Sequence, residues 1–509
     1  MVFVMENKEK NNMIKQTVLL SLISAFVAVL SFGKETVIAY YFGTSSSVDA
    51  YTVAAELPIV LFSIISVALS SVVIPMYLRI KESEGESSAS EYVSKLIIVL
   101  MGLSVGSLIL FEMLGDSVMK ILAPGLQSDV SQLTTRLFRL ILPATMLTLL
   151  VNVNNGISNG NKSFLLPALT PVFLNLQIIA LTIFLSKQTG IYAVVIGTLL
   201  GVIIEVIYSS IIVKKFFHFS RINNFWDKRV AATLKLAVPT LVGTGMEEIN
   251  KIVDRFFSSM LQTGSISVLY YGAKLSSGIY SLIIVSISTV SFSEIANVSA
   301  KNDKKKLGEV FSFSCRIILL IMIPIIIGGI VLKEEIITLI YKRGVFTIQD
   351  VKLVAPVFAI YLLSLFFSAM QVACRNYFYA VGDTKKTALA SICCVLINIP
   401  LDAILSSKYG VYGLAMATTI STATASIMLI ILIIKQRLAI DYLYNLIFTG
   451  KVFIGAVSMA IILLLMRTLC SQFLGNTLFT LCAIAVGALV YFIMLFLFGV
   501  SEISVVVQR

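Results

Sequence analysis

The sequence predicts an all-α polytopic membrane protein with about 14 transmembrane helices, arranged as two pseudo-symmetric lobes and a C-terminal helix pair. Three observations predict it. Hydrophobic residues make up 58% of the chain and charged residues 13%, against about a quarter charged in soluble domains. Apolar runs of roughly 20 residues, the length that crosses a bilayer, recur throughout with brief turns between them. One segment is also written twice: Val48-Asp49-Ala50-Tyr51-Thr52-Val53-Ala54-Ala55-Glu56-Leu57 returns as Ile266-Ser267-Val268-Leu269-Tyr270-Tyr271-Gly272-Ala273-Lys274-Leu275. Each copy runs on into a further apolar stretch, and Glu56 falls in register with Lys274. Duplicated membrane segments carrying opposite charges at matched depth mark a two-lobed transporter.

In chain order, helices are expected to begin near Thr17, Asp49, Tyr92, Gln132, Ser163, Ile191, Val230 and Ile266, then near Phe311, Val354, Thr387, Val411, Leu446 and Thr477. The intervals carry turn-forming residues, as at Gly43-Thr44-Ser45, Lys187-Gln188-Thr189-Gly190, Gly382-Asp383-Thr384 and Lys408-Tyr409-Gly410. The N-terminal lobe is drawn over 1–228 (helices 1–6), the C-terminal lobe over 229–440 (helices 7–12) and the extra helix pair over 441–509. The first apolar run continues past Lys34 and Glu35 to Phe42 without a small-residue cleavage site, so it is expected to stay as a helix.

An even number of crossings puts both termini on one side, and short loops rich in Lys and Arg stay in the cytoplasm. One alternating set of loops holds Lys8, Lys10, Lys15, Arg79, Lys81, Lys162, Lys214, Lys215, Arg221, Lys228, Arg229, Lys301, Lys304, Lys305, Lys306, Lys385, Lys386, Lys435 and Arg437. The other holds mainly Lys120, Lys187, Lys333, Lys342, Arg343 and Lys408. Both termini are therefore placed in the cytoplasm. The formal charge of +12 reads as this topology signal and not as a nucleic-acid footprint.

Catalysis finds no support in the residues. His218 is the single histidine, in the basic loop Lys214-Lys215-Phe216-Phe217-His218 near the single tryptophan, Trp226, where interfacial anchoring accounts for both. Neither the stretch 80–91 nor 216–229 offers a catalytic set, and no phosphate loop, HExxH or GxSxG occurs. The six cysteines lie in apolar helices without metal-like spacing, so neither a disulfide nor a metal centre is expected. No enzyme activity and no cofactor are read from the chain.

The informative residues are charges inside apolar runs: Lys34 and Glu35 in the first helix, Asp49 and Glu56 in the second, Glu247, Glu248, Lys251, Asp254 and Arg255 in the seventh, Lys274 in the eighth, Arg375 in the tenth and Asp402 in the eleventh. Each costs at least ~2.5 kcal/mol at a helix centre, so such groups face a wet cavity or one another, or else sit near helix ends and snorkel to the interface. They concentrate on the first, second, seventh and eighth helices, which the duplication pairs, and this points to a central hydrophilic cavity between the lobes. A weaker echo links Asn175 and Gly190-Ile191-Tyr192-Ala193 with Asn398 and Gly410-Val411-Tyr412-Gly413.

The run from Phe32 to Gly43 (FGKETVIAYYFG), followed by Asp49-Ala50-Tyr51 and Leu57-Pro58, resembles the opening of the MurJ/MviN lipid II flippases of the MOP exporter superfamily. Val253-Asp254-Arg255, Gly264-Ser265-Ile266-Ser267, Tyr270-Tyr271-Gly272-Ala273-Lys274-Leu275, the loop Ala123-Pro124-Gly125 and the stretch from Asn376 to Lys385 are similar to the same family, and the resemblance extends over essentially the whole chain. It implies the MOP exporter fold and a function: moving lipid II, an undecaprenyl-diphosphate-linked peptidoglycan precursor, from the inner to the outer leaflet of a bacterial cytoplasmic membrane by alternating access, with a monomer as the working unit. The family's diphosphate-holding cations map onto Lys34 and Lys274, positions more typically Arg, whose bidentate fork Lys lacks. Two further family arginines are replaced, at Ala28 and around Phe62-Ser63, and an acidic position is apolar at Val67. Lys251 and Arg255 either compensate or pair with Glu247 and Glu248. Glu35, Asp49 and Glu56 complete the cavity charge.

The resemblance also implies a sodium ion as coupling ion, held by Asp254, by Asn398 and Asp402 four apart on one helix, by Thr418 and by the carbonyl of Leu414. Alternatively, Asp402 pairs with a base such as Arg375. Other readings stay open: a flippase for another undecaprenyl-linked polysaccharide or teichoic precursor, or a drug/cation antiporter of the same superfamily. A membrane-embedded transferase would need a polar catalytic loop.

Overall fold

The computed structural model describes residues 2–68, 72–220, 227–301, 303–470 and 475–502, and their side chains except at 2–18, 61–68, 237–247, 285, 286 and 289. Among them every regular element is helical: α1 (Val2–Phe42), α2 (Ser46–Ala68), α3 (Ile74–Glu84), α4 (Glu86–Leu122), α5 (Ser128–Gly160), α6 (Leu165–Ala168), α7 (Thr170–Thr189), α8 (Tyr192–Val213) and α9 (Lys228–Ser259). There follow α10 (Ser265–Ile279), α11 (Val285–Ala300), α12 (Lys304–Val331), α13 (Lys333–Tyr341), α14 (Ile348–Ala380), α15 (Thr384–Tyr409), α16 (Val411–Ile434), α17 (Tyr442–Cys470) and α18 (Asn476–Leu497). The all-α membrane architecture is as the composition requires, because only internally hydrogen-bonded helices satisfy their backbone in lipid without closing a barrel.

Eleven of these helices are long and apolar enough to cross a membrane, among the described residues, against the 14 crossings expected. The other three expected crossings, α2, α9 and the α10–α11 run, are helical too, and they carry Asp49, Glu56, Glu248, Lys251, Asp254, Arg255 and Lys274, charges that lower their hydropathy. The expected eighth helix runs unbroken from α10 into α11, but through a π-helical turn at Tyr280–Ile284. The stretch 80–91, expected as a loop, is helical except at Gly85, whose φ of 90° only glycine adopts readily.

Contacts divide the chain into two compact units, Met1–Ser267 and Val268–Arg509. In the first, α5 packs on α2, α4 and α8, while α7 and α8 form a hairpin against which α1 lies, and α9 packs on α2 and α4. Apolar burial does not drive helix association in lipid, so close packing and interhelical hydrogen bonds must. Gly156 illustrates the first: a Cβ there would stand 2.9 Å from Ile74 Cδ1. Asn154 illustrates the second, its amide donating to Ser209 Oγ at 3.2 Å. One apolar core gathers Tyr77, Tyr92, Leu96, Val153, Phe217 and Val230. Beside it Asp227 caps α9 by accepting from Arg229 N at 2.8 Å, and takes ion pairs from Arg229 (2.8 Å) and Lys95 (3.3 Å). The Asp227 carboxyl is thereby held well below the usual carboxylate range, chiefly by the Arg229 hydrogen bond.

In the second unit, α14 packs on α11, α12, α13 and α16, α15 and α16 form a hairpin, and α17 lies on α12 and α18. Thr347 and Asp350 close a reciprocal capping box at the start of α14. A second core, including Leu320, Phe448, Val452, Met459 and Tyr491, fastens the C-terminal pair to α12. Tyr491 donates its hydroxyl to Leu320 O at 2.7 Å. Arg316, stacked 4.9 Å from the Tyr444 ring, also donates to Glu502 Oε1 at 2.7 Å.

Candidate substrate and ion sites

In the first unit the charges flagged from sequence sort into pairs. Lys34 Nζ lies 3.2 Å from the Glu35 carboxylate on α1, with side-chain exposures of 15% and 3%. Neighbours in sequence on a helix normally point apart; here the long lysine stem curls back so that a cation and an anion share one low-dielectric site. Glu56 on α2 receives Arg255 Nε of α9 at 3.0 Å, both about 15% exposed. Lys251 instead pairs with Glu248 at 2.8 Å, one turn back on the same helix, and its side chain is half exposed. The two cations offered as compensation for missing arginines are thus each tied to a carboxylate, Lys251 to Glu248 on its own helix and Arg255 to Glu56 across helices. The Glu247 side chain, Phe62, Ser63 and Val67 lie outside the described side chains, and Trp226 outside the described residues.

Asp49 has a structural task that its sequence position did not disclose. Its carboxylate, 2% exposed, accepts from Gly264 N at 2.6 Å and from Ser267 N at 2.7 Å. These are backbone donors at the start of α10, where helix amides have no partner of their own. Gly264 is held at φ 91°, and a Cβ there would stand 2.8 Å from Thr44 O, so glycine is required. Gly125 is pressed in the same way on the backbone of Ser259 and Met260. Asp254, partly buried, sits on α9 between Lys251 and Arg255.

In the second unit Lys274, partly buried on α10, holds its ammonium 5.3 Å from the centre of the Tyr270 ring, one turn earlier. On α15, Asn398 and Asp402 are both fully buried, and the Asn398 amide donates to Asp402 Oδ2 at 2.5 Å. Asn398 Oδ1 in turn accepts from Ser421 Oγ of α16 at 2.8 Å. Thr418 donates to the Leu414 carbonyl at 3.1 Å, on the α16 turn just before Ser421. Four of the five oxygen-ligand candidates therefore lie on one helix hairpin of this unit, with Asp254 in the other unit. The Arg375 guanidinium donates to Ser391 Oγ at 3.2 Å.

Sequence reasoning passed over two residues of interest. Ser421 is ordinary in sequence and matters only because the α15–α16 crossing brings it to Asn398. Glu205, 5% exposed in the otherwise apolar α8, carried the same signal as the other intramembrane acids and could have been found by it. The second unit also holds an apolar cleft of about 380 Å3 lined by Leu275, Pro324, Leu362, Met459, Gly487 and Tyr491, from α10, α12, α14, α17 and α18.

The family described as lipid II flippase MurJ matches residues 38–484. The chain belongs to the MurJ family. A probable lipid II flippase MurJ of Thermotoga maritima is 26% identical over 501 residues, covering 97% of this chain and 99% of the relative. The lipid II flippase MurJ of Thermosipho africanus is 28% identical over 480 residues, covering 94% and 95%. A solved lipid II flippase MurJ in an inward closed conformation superposes with a TM-score of 0.82 at 27% identity, over 97% of this chain and all of that one. An inward-facing MATE multidrug transporter of the MOP superfamily shares the fold alone, with a TM-score of 0.67 at 13% identity over 84% and 98%. MurJ membership thus brings the MOP exporter architecture expected from the opening motif, with a C-terminal pair, α17 and α18, packed on α12.

Proposed function

We propose that this chain is a flippase that moves lipid II from the inner to the outer leaflet of a bacterial cytoplasmic membrane by alternating access, and is not an enzyme. The match to the MurJ family over residues 38–484 carries this reading. The chemistry agrees with it. A diphosphate is a dense anion, and in a low-dielectric site a lysine ammonium is a strong point-charge partner. Lys34 and Lys274 are the cations proposed to meet that anion. Lys34 would exchange Glu35 for a phosphate oxygen, while Arg255 and Lys251, already held by carboxylates, would contribute less. The polyprenyl tail needs an apolar path, which the cleft lined by Leu275, Leu362 and Met459 supplies. Both termini are assigned to the cytoplasm from the Lys and Arg bias, and a monomer is the proposed working unit.

Sodium is proposed as the coupling ion. The donor set of Asp402 carboxylate, Asn398 amide carbonyl, Thr418 hydroxyl and Leu414 carbonyl suits a hard cation, and a bound cation would neutralise a carboxylate that is fully buried in an apolar helix.

The test is flipping by the purified chain in liposomes. Lys274→Ala should abolish transport of lipid II, and transport at the wild-type rate by well-folded variant protein would end the assignment. Faster movement of a teichoic or capsular lipid-linked glycan than of lipid II would favour the second reading, to which the missing arginine at Ala28 already points. Rates indifferent to sodium, and unchanged in Asp402→Asn, would remove the ion.

A further inference from the structure

A polar cleft of about 650 Å3 lies in the second unit, away from the residues assigned to transport. It is framed by the turn before α12, the turn before α15 and the linker between α16 and α17, and lined among others by Lys304, Lys386, Tyr377, Phe378, Gln436 and Leu438. The helices that end here, α12, α14, α15 and α16, are all membrane-length, so the cleft opens where hydrocarbon gives way to water. The stretches 301–306, 381–386 and 435–441 together carry eight Lys and Arg against three Asp.

The acids of the cleft are already engaged. Asp303 accepts from Lys306 N at 3.0 Å as the cap of α12, and Asp383 pairs with Lys386 at 2.8 Å. Lys386 also stands 5.2 Å over the Phe378 ring, which fixes its stem along the cleft wall. Lys304 makes no ion pair among the described residues. The lining itself sets two lysines against two engaged aspartates, the flanking stretches supply the excess of cation around it, and Phe378 and Leu438 give an apolar inner wall.

We propose that this cleft binds the phosphodiester of an anionic phospholipid headgroup. A phosphate oxygen accepts charge-assisted hydrogen bonds from Lys304 and Lys386, and the glycerol end of the acyl chains rests on the apolar wall. Basic pockets between membrane helices at the interface hold acidic lipids on these terms, each lysine adding roughly a few-fold to tenfold in affinity.

The experiment compares the full chain in nanodiscs of phosphatidylcholine alone and with phosphatidylglycerol, reading thermal melting and counting retained lipid by native mass spectrometry. Phosphatidylglycerol should raise the melting temperature of the wild type. In the double variant Lys304→Ala, Lys386→Ala the apparent affinity should fall on the order of tenfold or more. Lys408→Ala, at the far end of α15, should behave as wild type. Equal melting of all three proteins in phosphatidylcholine shows that they fold; should the double variant fail there, Lys304→Gln alone is read instead. An undiminished response of the variant, or no response of the wild type, overturns the proposal. An equal gain from inorganic phosphate in phosphatidylcholine discs, lost in the same variant, would assign the cleft to free phosphate and remove the lipid.

Discussion

The hairpins α7–α8 and α15–α16 are the same device built twice, 220 residues apart, and they differ in what they hold. Each turns on a glycine in the left-handed region, Gly190 at φ 58° and Gly410 at φ 57°, whose N–H returns to a serine carbonyl, Ser186 at 2.9 Å and Ser406 at 2.8 Å. Beyond the hinge they part. In the first, Gly201 and Gly197 let α8 press on the backbone of Leu174 and Ile178 of α7. In the second, Ser421 stands at the register of Gly201, and Asn398 and Asp402 stand at those of Ile178 and Thr182. The first copy closes by steric fit; the second has such a contact too, Gly413 against the Leu405 backbone, and adds a buried polar chain. Folding needs only the hinge and small residues. A buried carboxylate and amide in a membrane hairpin are costly and are kept for another purpose, here the proposed ion.

That contrast can be broken by exchanging the two interiors. Gly201→Leu should be the most damaging change, because its Cβ alone would stand 2.9 Å from Leu174 Cα. A loss of roughly 3 kcal/mol or more is expected, read as an early thermal transition in detergent. An unchanged melting curve would mean that the first hairpin is not held by close contact. Asn398→Leu comes next, at about 1–3 kcal/mol, since it leaves the Asp402 carboxylate and the Ser421 hydroxyl without their amide partner. If this variant were as stable as wild type yet inactive, the polar chain would be purely functional.

Gly190→Ala and Gly410→Ala sharpen the likeness of the hinges: each should cost about 1–2 kcal/mol, and the two costs should agree. A cost at one hinge alone would show that only one turn needs the left-handed conformation. The smallest effect lies outside both hairpins. Asp227, its carboxyl held low by Arg229, contributes stability that is present at neutral pH and fades as pH falls below about 4. Wild-type melting should therefore converge on that of Asp227→Asn in acid and exceed it above about pH 5; parallel curves across the whole range would show that the ion pair adds nothing.

Much of this was legible from residue order. The span positions follow from runs of apolar residues, and the MurJ resemblance from Lys34, Asp49, Asp254 and Lys274 in their apolar settings. Asn398 and Asp402 could be placed on one helix face because they are four apart. Pairing was not legible. Arg255 takes Glu56 of α2, 199 positions earlier in the chain, because α2 and α9 pack together. Asp49 read as cavity charge, whereas its oxygens are spent on the amides of Gly264 and Ser267. The π-turn within the expected eighth helix escaped notice because it leaves hydropathy unchanged.

The sequence by itself determined the solvent of this protein, the helical character of its crossings, its duplication and its family. Those properties rest on local composition and spacing, which a bilayer reads directly. Tertiary structure alone decided which charges meet, which acid became a helix cap and which of two like hairpins carries a polar chain. Such choices depend on angstrom-scale contacts between helices far apart in the chain, and no local period records them.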